Sequence, residues 1–149
     1  MIVDTSALIA IIRQEPDARF YELALESSPV NRISAGTWLE ATIVIDRLGD
    51  PLLSRRLDEL FAAAGLLVEP VTPTQASIAR EAYRDFGRGS THPAGLNFGD
   101  VFTYALARES GEPLLFKGGD FGQTDIPFIG AASERHRIGE LQATYAGRG

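Results

Sequence analysis

The chain has 149 residues, of which 44% are hydrophobic and 23% charged, and this composition is ordinary for one globular domain. No apolar run is long enough for a transmembrane helix and the first residues lack a signal-peptide pattern, so we expect a cytoplasmic protein with no membrane partner. The absence of cysteine excludes disulfides and thiolate-bound metals, and a net charge of −6 is unusual for a nucleic-acid-binding protein.

The first half of the chain alternates short apolar runs with longer amphipathic ones. In chain order these runs predict a strand at 1–4, helices at 7–13 and 16–27, a strand at 30–33, helices at 35–48 and 51–64, and a strand at 66–71. Ser34 is placed to cap the third helix, in which Leu39, Ile43 and either Val44 or Ile45 form the apolar stripe that should face the core.

The second half continues the same alternation after one long loop. It predicts a helix at 74–86, a loop at 87–95, a helix at 97–109, and strands at 114–116 and 127–129. Strands separated by helices predict a parallel sheet covered on both faces, which is a three-layer α/β/α domain. We assign residues 1–130 to this domain and residues 131–149, where periodicity is weak, to a C-terminal extension of uncertain role.

Four carboxylates fall where this fold brings strand ends and helix starts together. Asp4 ends the first strand, and Asp120 follows the fourth strand after a turn with two glycines. Glu40 and Asp100 lie early in the helices at 35–48 and 97–109. Ligands of such folds bind beyond the carboxyl ends of the strands. We therefore expect the four acids to share one crevice.

Carboxylates that share a crevice repel one another unless cations neutralise them. A site built from oxygen ligands suits Mg²⁺ or Mn²⁺, and two such ions can activate water and stabilise the leaving oxygen in phosphodiester cleavage. Bound cations would also remove the objection that the acidic net charge raises against a nucleic-acid substrate.

Each acid taken alone also has an ordinary structural interpretation. Asp4 is placed to cap the first helix, and Glu40 suits a solvated helix surface. Asp100 suits the dipole at a helix start, and Asp120 suits a turn. The joint placement of the four is stronger evidence than the position of any one.

The segments around these acids resemble the PIN-domain family, and within it the VapC-type toxins of bacterial toxin–antitoxin pairs. The matching segments are Ile2-Val3-Asp4-Thr5-Ser6-Ala7-Leu8, Leu39-Glu40, Phe98-Gly99-Asp100 leading into Ala105, Lys117-Gly118-Gly119-Asp120-Phe121 and Thr124-Asp125-Ile126. Each motif is short, but the set follows the family order from residue 1 to about residue 128.

This resemblance implies a PIN fold, whose five parallel strands have the order 3-2-1-4-5. It also implies an endoribonuclease that depends on Mg²⁺ or Mn²⁺, cleaves RNA, forms a homodimer and is inhibited by a VapB-like antitoxin.

The resemblance also assigns roles to individual residues. The catalytic and metal-binding quartet of the family corresponds to Asp4, Glu40, Asp100 and Asp120, with Glu40 orienting water or helping to hold a second ion. The hydroxyl beside the first acid, which would hold a metal-bound water, corresponds to Thr5 or Ser6. Asp125 is an extra acid near the site, and it is either a ligand, a group that supports the ligands, or a turn residue.

Several other functions compete with this interpretation. A PIN nuclease that processes RNA outside a toxin–antitoxin pair would share every motif, whereas a non-catalytic PIN module would be expected to lack some of the acids. A haloacid-dehalogenase-like phosphatase would need an acid where the chain has Ser6, and a receiver domain would need an acid where it has Thr5.

Two residues near the predicted site have a structural and a functional interpretation. Lys117 is either a phosphate contact or a surface lysine, and Trp38 either stacks on a base or packs within the protein.

Overall fold

The computed structural model describes residues 1–129, and the extension assigned to 131–149 lies outside the described residues. The elements are β1 (Ile2–Val3), α1 (Thr5–Ile12), α2 (Ala18–Ser27), β2 (Arg32–Ser34), α3 (Ala35–Asp46), α4 (Pro51–Ala63), β3 (Leu67–Glu69), α5 (Pro73–Phe86), α6 (Asp100–Ser110), β4 (Leu114–Leu115), a 3-10 helix (Phe121–Gln123) and β5 (Phe128–Ile129). Over this part of the chain, no helix is long and apolar enough to cross a membrane.

The five strands form one parallel sheet in the order β3-β2-β1-β4-β5, which confirms the predicted topology. In the central pair Ile2 is in register with Leu114 and Val3 with Leu115. The Asp4 amide donates to the Leu115 carbonyl at 3.0 Å, so the pairing continues to the end of β1. Asp4 and the turn after β4 therefore emerge side by side at the carboxyl edge of the sheet.

Successive residues of the central strands face opposite layers, as the pleat of a strand requires. Val3 and Leu115 belong to a core with α1, α2, α3 and α4. Ile2 and Leu114 belong to a second core with α5 and α6. All four side chains are fully buried, which is typical of a parallel sheet covered on both faces.

The apolar stripe predicted for α3 is wrong except for Ile45. The buried face of this helix is Thr37, Ala41 and Ile45, whereas the side chains of Leu39 and Ile43 are 60% and 48% exposed. Close packing explains the difference, because α3 lies against both α1 and α6 and small side chains permit that approach. The helix therefore turns its larger residues outward.

Candidate active site

Asp4 occupies the junction between β1 and α1, and its carboxylate is almost fully buried. Its Oδ2 accepts hydrogen bonds from the Ser6 amide at 3.0 Å and from the Ser6 hydroxyl at 2.7 Å. Its Oδ1 accepts one from the Thr103 hydroxyl at 2.7 Å. Asp4 therefore does cap α1, and only one of its two oxygens serves that purpose.

Asp100 begins α6 and takes part in a reciprocal cap with Asn97. The Asp100 amide donates to Asn97 Oδ1 at 2.8 Å, and the Asn97 amide donates to Asp100 Oδ2 at 2.9 Å. The helix begins at 100, three residues after the predicted start, and this pair of hydrogen bonds holds the Asp100 carboxylate against the turn that precedes α6.

The other three acids of the quartet all contribute to the electrostatic environment of Asp100. Burial raises its pKa to about 6, and the negative charges of Asp4, Asp120 and Glu40 add to that shift, while the hydrogen bond from the Asn97 amide opposes it. The structure thus brings the four predicted acids within electrostatic reach of one another.

Glu40 is held at this edge by close contact with the backbone of Gly99. A Cβ atom at position 99 would lie 1.6 Å from Glu40 Oε2, so any other residue there would displace the carboxylate from this position. Burial raises the pKa of Glu40, the nearby Thr5 hydroxyl lowers it, and the charge of Asp4 raises it. Of the two hydroxyls predicted for the site, that of Ser6 donates to Asp4 at 2.7 Å, whereas that of Thr5 donates to the Thr37 carbonyl at 3.3 Å and acts on Glu40 through its proximity.

Asp120 and Asp125 follow β4 but have different surroundings. Asp120 is exposed at the start of the 3-10 helix, and its charge acts on Asp100. Asp125 accepts hydrogen bonds from the Tyr104 hydroxyl at 2.7 Å and from Arg108 Nη1 at 3.0 Å. Asp125 thus ties its turn to α6, and it is not among the acids that shift the pKa of Asp100.

The two residues with open interpretations both have partners inside the protein. Lys117 forms ion pairs with Glu15 and with Asp17, the latter at 2.7 Å. The indole of Trp38 packs on the ring of Phe61, with centroids 4.4 Å apart. Both arrangements favour the structural interpretation.

A pair of threonines completes the surroundings of Asp4, and our sequence reasoning missed both. Thr103 and Thr37 are fully buried, and their hydroxyl oxygens are 2.9 Å apart. The available signal was helical spacing, because Thr103 lies three residues after Asp100 and Thr37 three residues before Glu40.

The donor set of this site fits a hard divalent cation in its chemistry. All four acids offer oxygen ligands, and their mutual repulsion is the pattern that a cation relieves. Within residues 1–129, however, no group of three acidic or histidine side chains is arranged to hold a metal ion. Because hydrogen bonds hold the Asp4 carboxylate in place, the other acids would have to move toward it on binding.

Comparison with known proteins identifies the family of this chain. Residues 1–127 match the family model described as the PIN domain. The chain belongs to the PIN-domain family. Ribonuclease VapC28 of Mycobacterium tuberculosis is 60% identical over 126 residues, which are 85% of this chain and 95% of that protein. This relationship confirms the resemblance to the VapC-type members of the family.

Solved structures share the fold of this PIN domain at lower identity. VapC20 of Mycobacterium tuberculosis superposes with a TM-score of 0.67 at 20% identity, covering 84% of this chain and 95% of that one. A toxin–antitoxin complex from Klebsiella pneumoniae superposes with a TM-score of 0.62 at 21% identity, covering 86% and 94%.

Proposed function

We propose that this PIN domain is the toxin of a VapBC-like pair, an endoribonuclease that hydrolyses RNA phosphodiesters with Mg²⁺ or Mn²⁺. The observation that carries the proposal is the meeting of four carboxylates at the carboxyl edge of the sheet, where Asp4, Asp120 and Glu40 all lie within electrostatic reach of Asp100. Such a site attracts a divalent cation. The name of the 60% identical relative, a ribonuclease, supports RNA as the substrate.

The four acids of the quartet have different proposed roles. Asp4, Asp100 and Asp120 would hold the first ion, and Glu40 would orient water or help to hold a second. When bound, a divalent cation neutralises phosphate charge and activates water for in-line attack. Because its pKa is raised, Glu40 is suited to accept a proton from the attacking water. Ser6 would keep the carboxylate of Asp4 in place, and the Thr5 hydroxyl would favour the charged form of Glu40.

We further propose a homodimer that uses the exposed apolar residues of α3 together with a groove between α5 and α6. The groove has a volume of about 420 Å³ and is lined by Val71, Tyr83, Phe98 and Phe102, among others. The Phe98 side chain is 76% exposed. An apolar surface of this kind is typical of subunit contacts. Phe98→Asp should shift the protein from dimer to monomer in light scattering, and a monomeric parent would contradict the proposal.

The proposed protein partner is a VapB-like antitoxin that inhibits cleavage in the cytoplasm. Support comes from the Klebsiella pneumoniae toxin–antitoxin complex, which contains a chain of the same fold. Production of the chain in a bacterial host should arrest growth, and co-production of a small antitoxin should restore it. RNA cleavage without an effect on growth would favour an RNA-processing enzyme instead.

The central test is metal-dependent RNA cleavage by the purified full chain. We expect cleavage with Mg²⁺ or Mn²⁺ and none with EDTA. Asp4→Asn and Asp100→Asn should each lower the rate by about a hundredfold or more, since each removes a charged ligand. Asp58→Asn, on the exposed part of α4, is the matched control. Parental activity in both site variants would overturn the proposal.

A separate variant tests whether Asp125 is a metal ligand. Because Asp125 is bound to Tyr104 and Arg108, Asp125→Asn should leave the Mg²⁺ dependence of cleavage unchanged. A large increase in the Mg²⁺ concentration needed for cleavage would instead place Asp125 among the ligands.

A further inference from the structure

The buried threonines form a chain of hydroxyl groups that ends on Asp4. Thr103 Oγ1 lies 2.7 Å from Asp4 Oδ1, and Thr37 Oγ1 lies 2.9 Å from Thr103 Oγ1. Both threonines have no solvent exposure, and Asp4 is 4% exposed. A buried hydroxyl ordinarily needs a partner, and here the partner is a carboxylate 99 residues away in sequence.

The donor and the acceptor in each of these two hydrogen bonds follow from the number of protons available. A hydroxyl group has one proton to donate, and Thr103 donates it to the Asp4 carboxylate. Thr103 must therefore accept at its contact with Thr37, so that Thr37 is the donor there. The two bonds run in the same direction, and each polarises the next in the low dielectric of the interior.

Within residues 1–129, the hydrogen bonds to Asp4 leave one lone-pair site of its carboxylate without a donor. A carboxylate offers about four lone-pair sites, two on each oxygen. Both sites of Oδ2 are taken, by the amide and the hydroxyl of Ser6. Thr103 takes one site of Oδ1, so the remaining site of Asp4 is on that oxygen.

We infer that Thr103 is a positioning residue, which fixes the Asp4 carboxylate in the orientation in which it would help to hold a divalent cation. The inference rests on the proposed function. It extends to Thr37, which holds Thr103 in its donating orientation.

The placement of the threonines on their helices supports this role. Thr37 shares a face of α3 with Glu40, and Thr103 shares a face of α6 with Asp100, since each pair is three residues apart. The hydrogen-bonded hydroxyl groups therefore join the helices that carry Glu40 and Asp100 at the point where both helices approach Asp4.

A nearby threonine shows the ordinary alternative. The hydroxyl of Thr42, also on α3, donates to the Leu39 carbonyl of its own helix at 2.8 Å. Threonine in a helix commonly bonds in this way to a preceding carbonyl. Thr103 has the same option through its own helix, yet its hydroxyl donates to Asp4 instead.

The test is Mn²⁺ affinity, measured by calorimetry on folded full-length protein, alongside RNA cleavage. Thr103→Val preserves the side-chain volume but removes the donor, and we expect it to weaken Mn²⁺ binding about tenfold or more and to slow cleavage in proportion. Thr103→Ser restores the hydroxyl and should bind Mn²⁺ within about threefold of the parent. Thr37→Val should show a smaller loss, and Thr42→Val should bind Mn²⁺ like the parent.

The outcomes separate the inference from the proposed function. If Thr103→Val is less stable but binds Mn²⁺ as tightly as the parent, the residue is merely structural and the inference is wrong. If Thr103→Val does not fold, Thr37→Val and Thr103→Ser decide: parental affinity in the first, or lost affinity in the second, overturns the inference. A parent that neither binds Mn²⁺ nor cleaves RNA would refute the proposed function itself.

Discussion

Replacing Asp100 by asparagine should stabilise the metal-free protein at neutral pH, although it should destroy activity. The pKa of Asp100 is raised from 3.8 to about 6 in the folded chain. The folded state therefore holds a proton more tightly than the unfolded state, and ionisation of this group opposes folding. The cost is absent below about pH 4, grows as the pH rises, and is complete above about pH 6.

The size of this cost follows from the shift. Raising the pKa of Asp100 from 3.8 to about 6 corresponds to about 3 kcal/mol, because each pKa unit is worth 1.36 kcal/mol. The carboxyl of Asp100 is only partly buried, so solvent screening reduces this figure, and we take about 1.5 kcal/mol as the expected gain. For a chain of this size the gain corresponds to an increase of about 5 °C in Tm.

Thermal unfolding in EDTA across the range from about pH 5 to about pH 8 is the assay. Asp100→Asn should exceed the parent in Tm at the upper end of the range, and the difference should shrink toward about pH 5. Other acids titrate in both proteins and cancel in this difference, and Asp58→Asn should show no such gain. Equal stability at the upper end, or a difference that does not depend on pH, would refute the argument that burial beside other carboxylates raises the pKa of Asp100.

Three further substitutions test other parts of the structure. Gly99→Ala should slow RNA cleavage about a hundredfold by displacing Glu40, whereas Gly119→Ala, which has open space around it, should cleave normally; equal rates would contradict the close packing. Asn31→Ala should lower the free energy of unfolding by about 2 kcal/mol in urea titrations, because its amide donates to two backbone carbonyls at 3.0 Å each; an unchanged midpoint would show that these bonds contribute little. Lys117→Met should keep cleavage within about twofold, because its amine is occupied by ion pairs, and a loss above about tenfold would instead indicate a phosphate contact.

The parts of the fold that depend on local patterns were predictable from the sequence. Strand and helix positions follow from apolar periodicity, and Ser34 caps α3 as predicted, with its hydroxyl accepting from the Gly36 amide. The outward side of α3 was not predictable in the same way. Leu39 and Ile43 have the right spacing for a core stripe, but the close approach of α6 to Gly36 and Thr37 turns the small residues inward.

The candidate site also has features that local sequence predicts and features that depend on tertiary packing. Asp4 could be placed because it ends a central strand, whereas the contact between Thr103 and Asp4 depends on how α6 packs across the sheet. The partners of Asp125 were equally hidden, because Tyr104 and Arg108 reach it from a helix that precedes it by 15 residues or more. Contacts between distant elements are determined by tertiary packing, which a single sequence does not reveal.

Asp4 shows why a structural role does not count against a functional one. From the sequence alone, Asp4 has two alternative interpretations, a helix cap or a metal ligand. A cap needs one carboxylate oxygen, and in this protein Oδ2 supplies it through Ser6. The other oxygen accepts from Thr103, and the proposed cation would take its remaining lone pair. The cap fixes the carboxylate by two bonds from one side and the threonine by one from the other, so the side chain loses its rotational freedom when the protein folds. Binding of the proposed cation would not have to repeat this loss of entropy, so the cap would contribute to the affinity of the proposed metal site.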